Sequence, residues 1–149
     1  FLSDEVQYAD ATADRATTAM EAIMQTHPEG IAIICANNDD MAMAAARAAQ
    51  GHDAYKNTIF LGFNGDRAAC EAILAGQMTM SVAQMAYEMG YKAVETMVQV
   101  LDGETVDEFV DSGSDVVTPG QRAGAPGYPE DAAPLNKTKL HSAQTQIVR

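Results

Sequence analysis

Residues 31–40, IAIICANNDD, decide the fold of this chain. The apolar run 31–35 is typical of a strand that is buried on both faces of a parallel sheet. The polar residues that follow are typical of a helix start, and the alanine- and methionine-rich stretch 41–50 favours a helix. We therefore predict a central β-strand, a polar loop and an α-helix in immediate succession.

The same unit recurs along the chain. Apolar strand patterns and helical patterns alternate, with a helix over 10–26, a strand over 58–63, a helix over 66–75, a strand over 78–83 and a helix over 87–101. This order predicts the α/β class, with a mostly parallel, doubly wound sheet and right-handed crossovers.

The end of the chain lacks such a pattern. One or two short strands are predicted between 104 and 118, and beyond Pro119 the apolar periodicity disappears. A chain of 149 residues has room for one ordinary domain. We expect residues 1–118 to form that domain and residues 119–149 to be a flexible tail.

Charge and composition exclude several classes of function. Nine basic against 21 acidic side chains give a formal charge of -12, which disfavours nucleic acid as a partner. The sequence has no zinc-ligand spacing, no glycine-rich phosphate loop and no surroundings for a nucleophilic serine. We therefore predict no catalytic residues, no metal and no cofactor.

Five polar side chains lie at or just after the predicted strands, namely Asn38, Asp39, Asn64, Asp66 and Gln84. The carboxyl ends of parallel strands meet at one edge of a sheet, where ligands of open α/β folds bind. Amides and carboxylates match the paired donors and acceptors of sugar hydroxyls. The five residues are therefore our candidate ligand-binding site.

Each of these residues also has a plainer interpretation. Helix capping explains Asp39 or Asp40 as readily as ligand binding does, and explains Asn38 less readily, since one cap needs one residue. Asn64 could belong to an ordinary strand-to-helix turn, and Gln84 could be a solvated strand end. The Asp39 and Asp40 pair could instead hold Mg²⁺, as in a small doubly wound enzyme.

Three segments carry a family resemblance. ANNDDMA at 36–42, LGFNG at 61–65 and SVAQ at 81–84 resemble, in this order, segments of periplasmic sugar-binding proteins of the ribose/galactose type. The resemblance extends over about residues 1–118, which makes it more specific than any single motif. It implies the carboxyl-terminal portion of a type I periplasmic-binding-protein-like fold, without the amino-terminal lobe.

The resemblance implies a transport function without catalysis. A small sugar, a pentose or a hexose, would bind in a two-lobed cleft that closes by hinge motion and would be delivered to the membrane subunits of an ABC importer. Such a protein would be periplasmic or otherwise extracytoplasmic, with a lipoprotein anchor as one option. In that family the residues matched by Asn38 and Gln84 contact sugar hydroxyls, and the position of Asn64 is commonly an aspartate.

The resemblance also implies a hinge crossover near 84 and over 103–110. The helix over 87–101 would then pack on the absent lobe, so its apolar face would be exposed unless a second copy or a partner chain covers it. Two other interpretations stay open at this point. One is the effector-binding core of a LacI-type repressor, and the other is the magnesium-dependent enzyme.

Overall fold

The structure, a computed structural model, describes residues 5–120. Four helices, four strands and a short 3-10 turn at Asp53–Tyr55 follow one another in this part of the chain. In chain order they are α1 Ala13–Thr26, β1 Ile33–Cys35, α2 Asp39–Ala48, β2 Ile59–Asn64, α3 Arg67–Leu74, β3 Met80–Gln84, α4 Ala86–Leu101 and β4 Ser114–Val117. The tail predicted over 119–149 lies outside the described residues beyond Gly120.

The four strands form one sheet in the order β1-β2-β3-β4. The first three strands are parallel, and β4 runs antiparallel to β3, with Gln84 opposite Ser114. This arrangement confirms the predicted α/β class with a mostly parallel sheet. It also brings the carboxyl ends of β1, β2 and β3 to one edge.

The prediction of a central first strand is wrong. β1 is an edge strand that pairs with β2 alone within residues 5–120. Ile33 is 37% exposed, and Cys35 is exposed as well. The apolar composition of a strand indicates which residues avoid water, but it does not indicate how many neighbours the strand has.

The core lies between the sheet and helices α1 to α3. Met20 of α1, Phe60 of β2, Ile73 of α3 and Val117 of β4 are buried in one cluster. Alanines on α2 allow the helices to approach closely. A second, smaller cluster consists of Ala9, Ala16 and Ala44.

Helix α4 stands apart from this core. None of its residues is buried, and its apolar side chains include Met97 at 64% exposure and Leu101 at 79%. Met89 and Ala93 on the same helix are exposed too. The exposed apolar face is the one that the resemblance implied. Among the described helices, none is long and apolar enough to cross a membrane.

His27, at the carboxyl end of α1, joins the first described residues to the turn before β1. Its Nε2 lies 2.6 Å from Oε2 of Glu5, and its Nδ1 lies 3.2 Å from Oε1 of Glu29. The hydrogen bond with Glu5, followed by that with Glu29, raises the pKa of His27 above its ordinary 6.5. The protonated ring therefore contributes its full stabilisation at pH values below the ordinary pKa of 6.5. This stabilisation is lost as the pH rises through the raised pKa of the folded state.

A pH comparison tests this contribution. We expect His27→Gln to lower the melting temperature at about pH 5.5 and to have little effect at about pH 9, where the wild-type ring is neutral. Circular dichroism melts at the two pH values provide the measurement, with the exposed His52→Gln as the control. An equal loss for His27→Gln at both pH values would contradict the expectation.

Candidate functional site

Asp39 lies beneath the edge where the parallel strands end. Its side chain is 0% exposed. Oδ1 accepts a hydrogen bond from Ser81 Oγ at 2.6 Å, and Oδ2 accepts one from the Asp66 N–H at 2.8 Å. Ser81 Oγ in turn accepts a hydrogen bond from the Gly65 N–H at 3.1 Å. One buried carboxylate thus joins the start of α2, the β2–α3 turn and the middle of β3.

Two glycines make room for this network. Gly62 lies opposite Ser81 in the sheet, and a Cβ at this position would overlap Oδ1 of Asp39 and the methyl group of Met78. The contact of Ser81 with Asp39 and the need for a glycine at position 62 were missed from the sequence. Both depend on the register of β2 and β3, which a local sequence pattern does not contain.

Gly65 is required by both its backbone and its surroundings. Its φ is +76°, in the left-handed region that favours glycine. A Cβ here would lie 2.5 Å from Cβ of Ala83 and 2.7 Å from its Cα. The turn after β2 therefore packs directly on the backbone of β3.

Cys70 fills the space under the same turn. It is fully buried, and its Sγ lies 3.8 Å from the carbonyl oxygen of Gly65. Burial, and then the negative charges of Asp39 and Asp66, raise the pKa of its thiol. The thiol stays neutral and acts as an apolar packing group.

Asn38 caps helix α2. Its Oδ1 accepts a hydrogen bond from the Met41 N–H at 2.8 Å, and its Nδ2 donates to the carbonyl of Ala11 at 3.2 Å. The prediction that Asp39 or Asp40 is more readily the helix cap than Asn38 is therefore wrong. The cap is Asn38, whereas Asp39 is buried in the network and Asp40 is exposed in the first turn. Asn38 remains half-buried at the end of β1.

Asn64, Asp66 and Gln84 form a chain of polar contacts at the strand ends. Gln84 Nε2 donates to Oδ1 of Asn64 at 2.7 Å. Asn64 Nδ2 lies 3.5 Å from Oδ2 of Asp66, at the outer limit of a hydrogen bond. Asn64 and Gln84 are half-buried, and Asp66 is exposed.

The backbone of Asn64 breaks the alternation of β2. Alternation would place its side chain on the face of Phe60 and Gly62, which is buried. Gln84 belongs to the other face of the sheet, because Ser81 and Ala83 are the buried positions of β3. Asn64 has a φ of 131°, outside the range that L-residues ordinarily adopt, and this conformation accompanies the contact with Gln84.

The structure thus brings Asn64, Asp66 and Gln84 into contact, with Asp39 below them and Asn38 at the end of the neighbouring strand. The described side-chain contacts of Asn38 are with Ala11 and Met41. As ligand contacts, all five residues stay predictions.

The placement of the acidic side chains bears on the magnesium hypothesis. Within residues 5–120, no group of three or more histidine, cysteine or acidic side chains is placed to hold a metal ion. Asp39, the central acid of the magnesium hypothesis, has both oxygens occupied by Ser81 and by the Asp66 N–H.

An open, mostly parallel sheet with polar side chains beyond its strand ends is the arrangement in which open α/β folds bind ligands. A family model for the periplasmic binding protein domain matches residues 2–105. The chain therefore belongs to the periplasmic binding protein domain family.

Relatives and solved structures agree with this family. The chain is 34% identical over 101 residues to the ribose import binding protein of Escherichia coli, which covers 67% of this chain and 33% of that protein. An ABC transporter solute-binding protein from Mycobacterium smegmatis with bound glycerol superposes with a TM-score of 0.64 at 32% identity, over 75% of this chain and 38% of that one. A carbohydrate transporter solute-binding protein from Agrobacterium radiobacter, in complex with D-arabinose, superposes with a TM-score of 0.63 at 29% identity. The match covers 74% of this chain and 37% of that one. The chain spans about a third of the length of the curated relatives it matches.

Proposed function

We propose that this chain is the ligand-binding lobe of a sugar receptor that serves an ABC importer. The polar chain of Asn64, Asp66 and Gln84, held over the buried Asp39, is the observation that carries the proposal. It offers adjacent amide and carboxylate groups at the edge of the sheet, as a polyhydroxyl ligand requires. A ribose import protein among the relatives and a D-arabinose complex among the solved structures favour a pentose or a hexose.

We assign separate roles to the site residues. Asn38, Asn64, Asp66 and Gln84 would contact sugar hydroxyls, because each has a side chain that is at least partly exposed at the strand ends. We propose that Asp39 does not contact the sugar, although the sequence predicted such a contact, because its side chain is 0% exposed and binds Ser81 and the Asp66 N–H. It would fix the turn that carries Asn64 and Asp66.

The function proposed involves no bond-making step. Sugar selectivity would come from polar groups left unpaired when the wrong epimer binds. The partners would be the sugar and the membrane subunits of the importer, and the site of action would be periplasmic or extracytoplasmic. A LacI-type effector-binding core would use a similar site, but the curated relatives are import proteins, which favours transport.

Two neighbouring segments support a hinge. The chain leaves the sheet after Gln84 and returns at Ser114, and these two residues lie opposite each other. Helix α4 and the segment up to β4 lie between the two crossings. The apolar face of α4 would pack on the amino-terminal lobe of a two-lobed receptor, and closure would rotate the lobes about the crossings.

Two alanine substitutions test the site. In the intact two-lobed receptor, we expect Asn38→Ala and Gln84→Ala each to weaken sugar binding by about 1–3 kcal/mol, because buried partners in the complex lose their hydrogen bonds. A thermal-shift panel of pentoses, hexoses and polyols finds the ligand, and titration calorimetry then compares affinities.

Matched controls are available for both variants. Asn57→Ala and Gln77→Ala remove the same side-chain types at exposed loop positions. Both positions lie before the amino ends of strands, away from the carboxyl ends that form the candidate site. Because Asn38 also caps α2, its variant has to be titrated well below its melting temperature. Unchanged affinity in both site variants would exclude Asn38 and Gln84 as ligand contacts. If no sugar of the panel raises the melting temperature of the folded protein, those sugars are excluded as the ligand.

A further inference from the structure

We infer that Asn64 presents a hydrogen-bond donor to the ligand, and that this site therefore selects a sugar oxygen that acts as an acceptor. The inference rests on the proposed function. It concerns the orientation of one amide group, and that orientation follows from the two contacts that the Asn64 side chain makes.

The contact with Gln84 alone leaves two orientations open. Gln84 Nε2 donates to Asn64 Oδ1 at 2.7 Å. If both amides were rotated by half a turn, Asn64 would donate to Gln84 and the hydrogen bond would survive, since the nitrogen and oxygen of an amide have nearly the same shape. A neighbouring group has to decide between the two arrangements.

The carboxylate of Asp66 decides it. Its Oδ2 lies 3.5 Å from the Nδ2 of Asn64, so the amide NH₂ group faces a negative charge. In the rotated arrangement, the carbonyl oxygen of Asn64 would face that carboxylate, and two acceptors would repel each other. The carboxylate thus favours the orientation in which Oδ1 points to Gln84 and the NH₂ group points outward.

The backbone fixes the position of the Asn64 amide group, while the carboxylate of Asp66 sets its orientation. The φ of 131° at Asn64 accompanies the contact with Gln84. The next two residues are anchored by the N–H of Gly65 to Ser81 and the N–H of Asp66 to Asp39. The amide group is therefore held at its base as well as at its oxygen.

This orientation determines what the ligand has to offer. Oδ1 already accepts from Gln84, and one N–H of Nδ2 faces Asp66. The second N–H of Nδ2 is the free donor of Asn64, and it requires an acceptor. A hydroxyl meets that requirement, and so does a ligand atom that carries no hydrogen, such as a ring oxygen or a fluorine. An aspartate at this position would instead require a ligand donor. Asn64 is therefore a specificity-determining residue of the proposed site.

Fluorinated sugars separate the donor and acceptor roles of a hydroxyl. The probes are D-ribose with its monodeoxy and monodeoxyfluoro analogues, because fluorine keeps a weak acceptor and removes the donor. At the ribose position that faces Asn64, we expect the intact two-lobed receptor to bind the fluoro analogue severalfold more tightly than the deoxy analogue. We expect Asn64→Asp to reverse this order, because the fluorine would face a carboxylate. A fluoro analogue that is nowhere favoured over its deoxy counterpart, or an order unchanged in Asn64→Asp, would overturn the inference.

A measurement without ligand keeps the inference separate from the proposed function. In the ¹⁵N- and ¹³C-labelled wild-type chain, we expect a coupling through the hydrogen bond from Gln84 Nε2 to Cγ of Asn64. A coupling from Asn64 Nδ2 to Cδ of Gln84 would overturn the inference whether or not ribose binds. If the expected coupling is present but ribose and the other sugars do not bind, the proposed function fails and the amide orientation stands.

Discussion

Replacing Asp39 with alanine is expected to lower the free energy of unfolding by about 3–5 kcal/mol, because two buried donors would lose their acceptor and a small cavity would remain. The donors are the hydroxyl of Ser81 and the N–H of Asp66, both bound to the carboxylate within 2.8 Å. Urea unfolding followed by circular dichroism measures the change.

The adjacent acid provides a matched control. Asp40 lies in the same first turn of α2, but its side chain is exposed, so Asp40→Ala should change stability by about 0.5 kcal/mol or less. Similar losses for the two variants would show that the helix terminus, and not the buried network, accounts for the effect of Asp39.

Replacing Gly65 with alanine is expected to lower the free energy of unfolding by about 2–5 kcal/mol. About 1–2 kcal/mol comes from placing an alanine at a φ of +76°. The remainder, about 1–3 kcal/mol, comes from the overlap of the new Cβ with Ala83, whose Cβ and Cα would lie 2.5 and 2.7 Å away.

Gly76→Ala separates these two contributions. Gly76 has nearly the same φ, +72°, but a Cβ at that position would meet nothing within 4 Å. We expect only the backbone contribution there, so the difference between the two variants in urea unfolding reports the overlap with Ala83. Equal losses would mean that the β2–α3 turn moves away from β3 at little cost.

The repeated strand and helix units were predictable from the sequence, because the apolar patterns of β2, α3 and α4 extend over enough residues to define a period. The edge position of β1 was not predictable, since the residues 31–35 indicate burial but not the number of neighbouring strands. The antiparallel pairing of β4 with β3 was not predicted either, because four residues carry little pattern of their own.

The candidate site shows a similar division. The spacing of polar residues after strands correctly brought Asn64, Asp66 and Gln84 to one edge. The spacing did not show that Asn38 is the helix cap and Asp39 the buried residue. The two residues are adjacent, and both asparagine and aspartate are common helix caps. The positive φ of Asn64 accompanies a tertiary contact with Gln84, which a local pattern does not contain.

Because side chains alternate along β3, one face of the strand contacts the buried carboxylate and the other contacts Asn64. Ser81 faces the buried carboxylate, whereas Gln84, three residues later, belongs to the opposite face and meets Asn64. Substitutions at Gln84 are therefore expected to leave the hydrogen bonds of Ser81 and Asp39 in place. If the proposed site binds a sugar, a designed library at Gln84 would change its selectivity while the buried contacts of Asp39 persist, as the engineering of a biosensor requires.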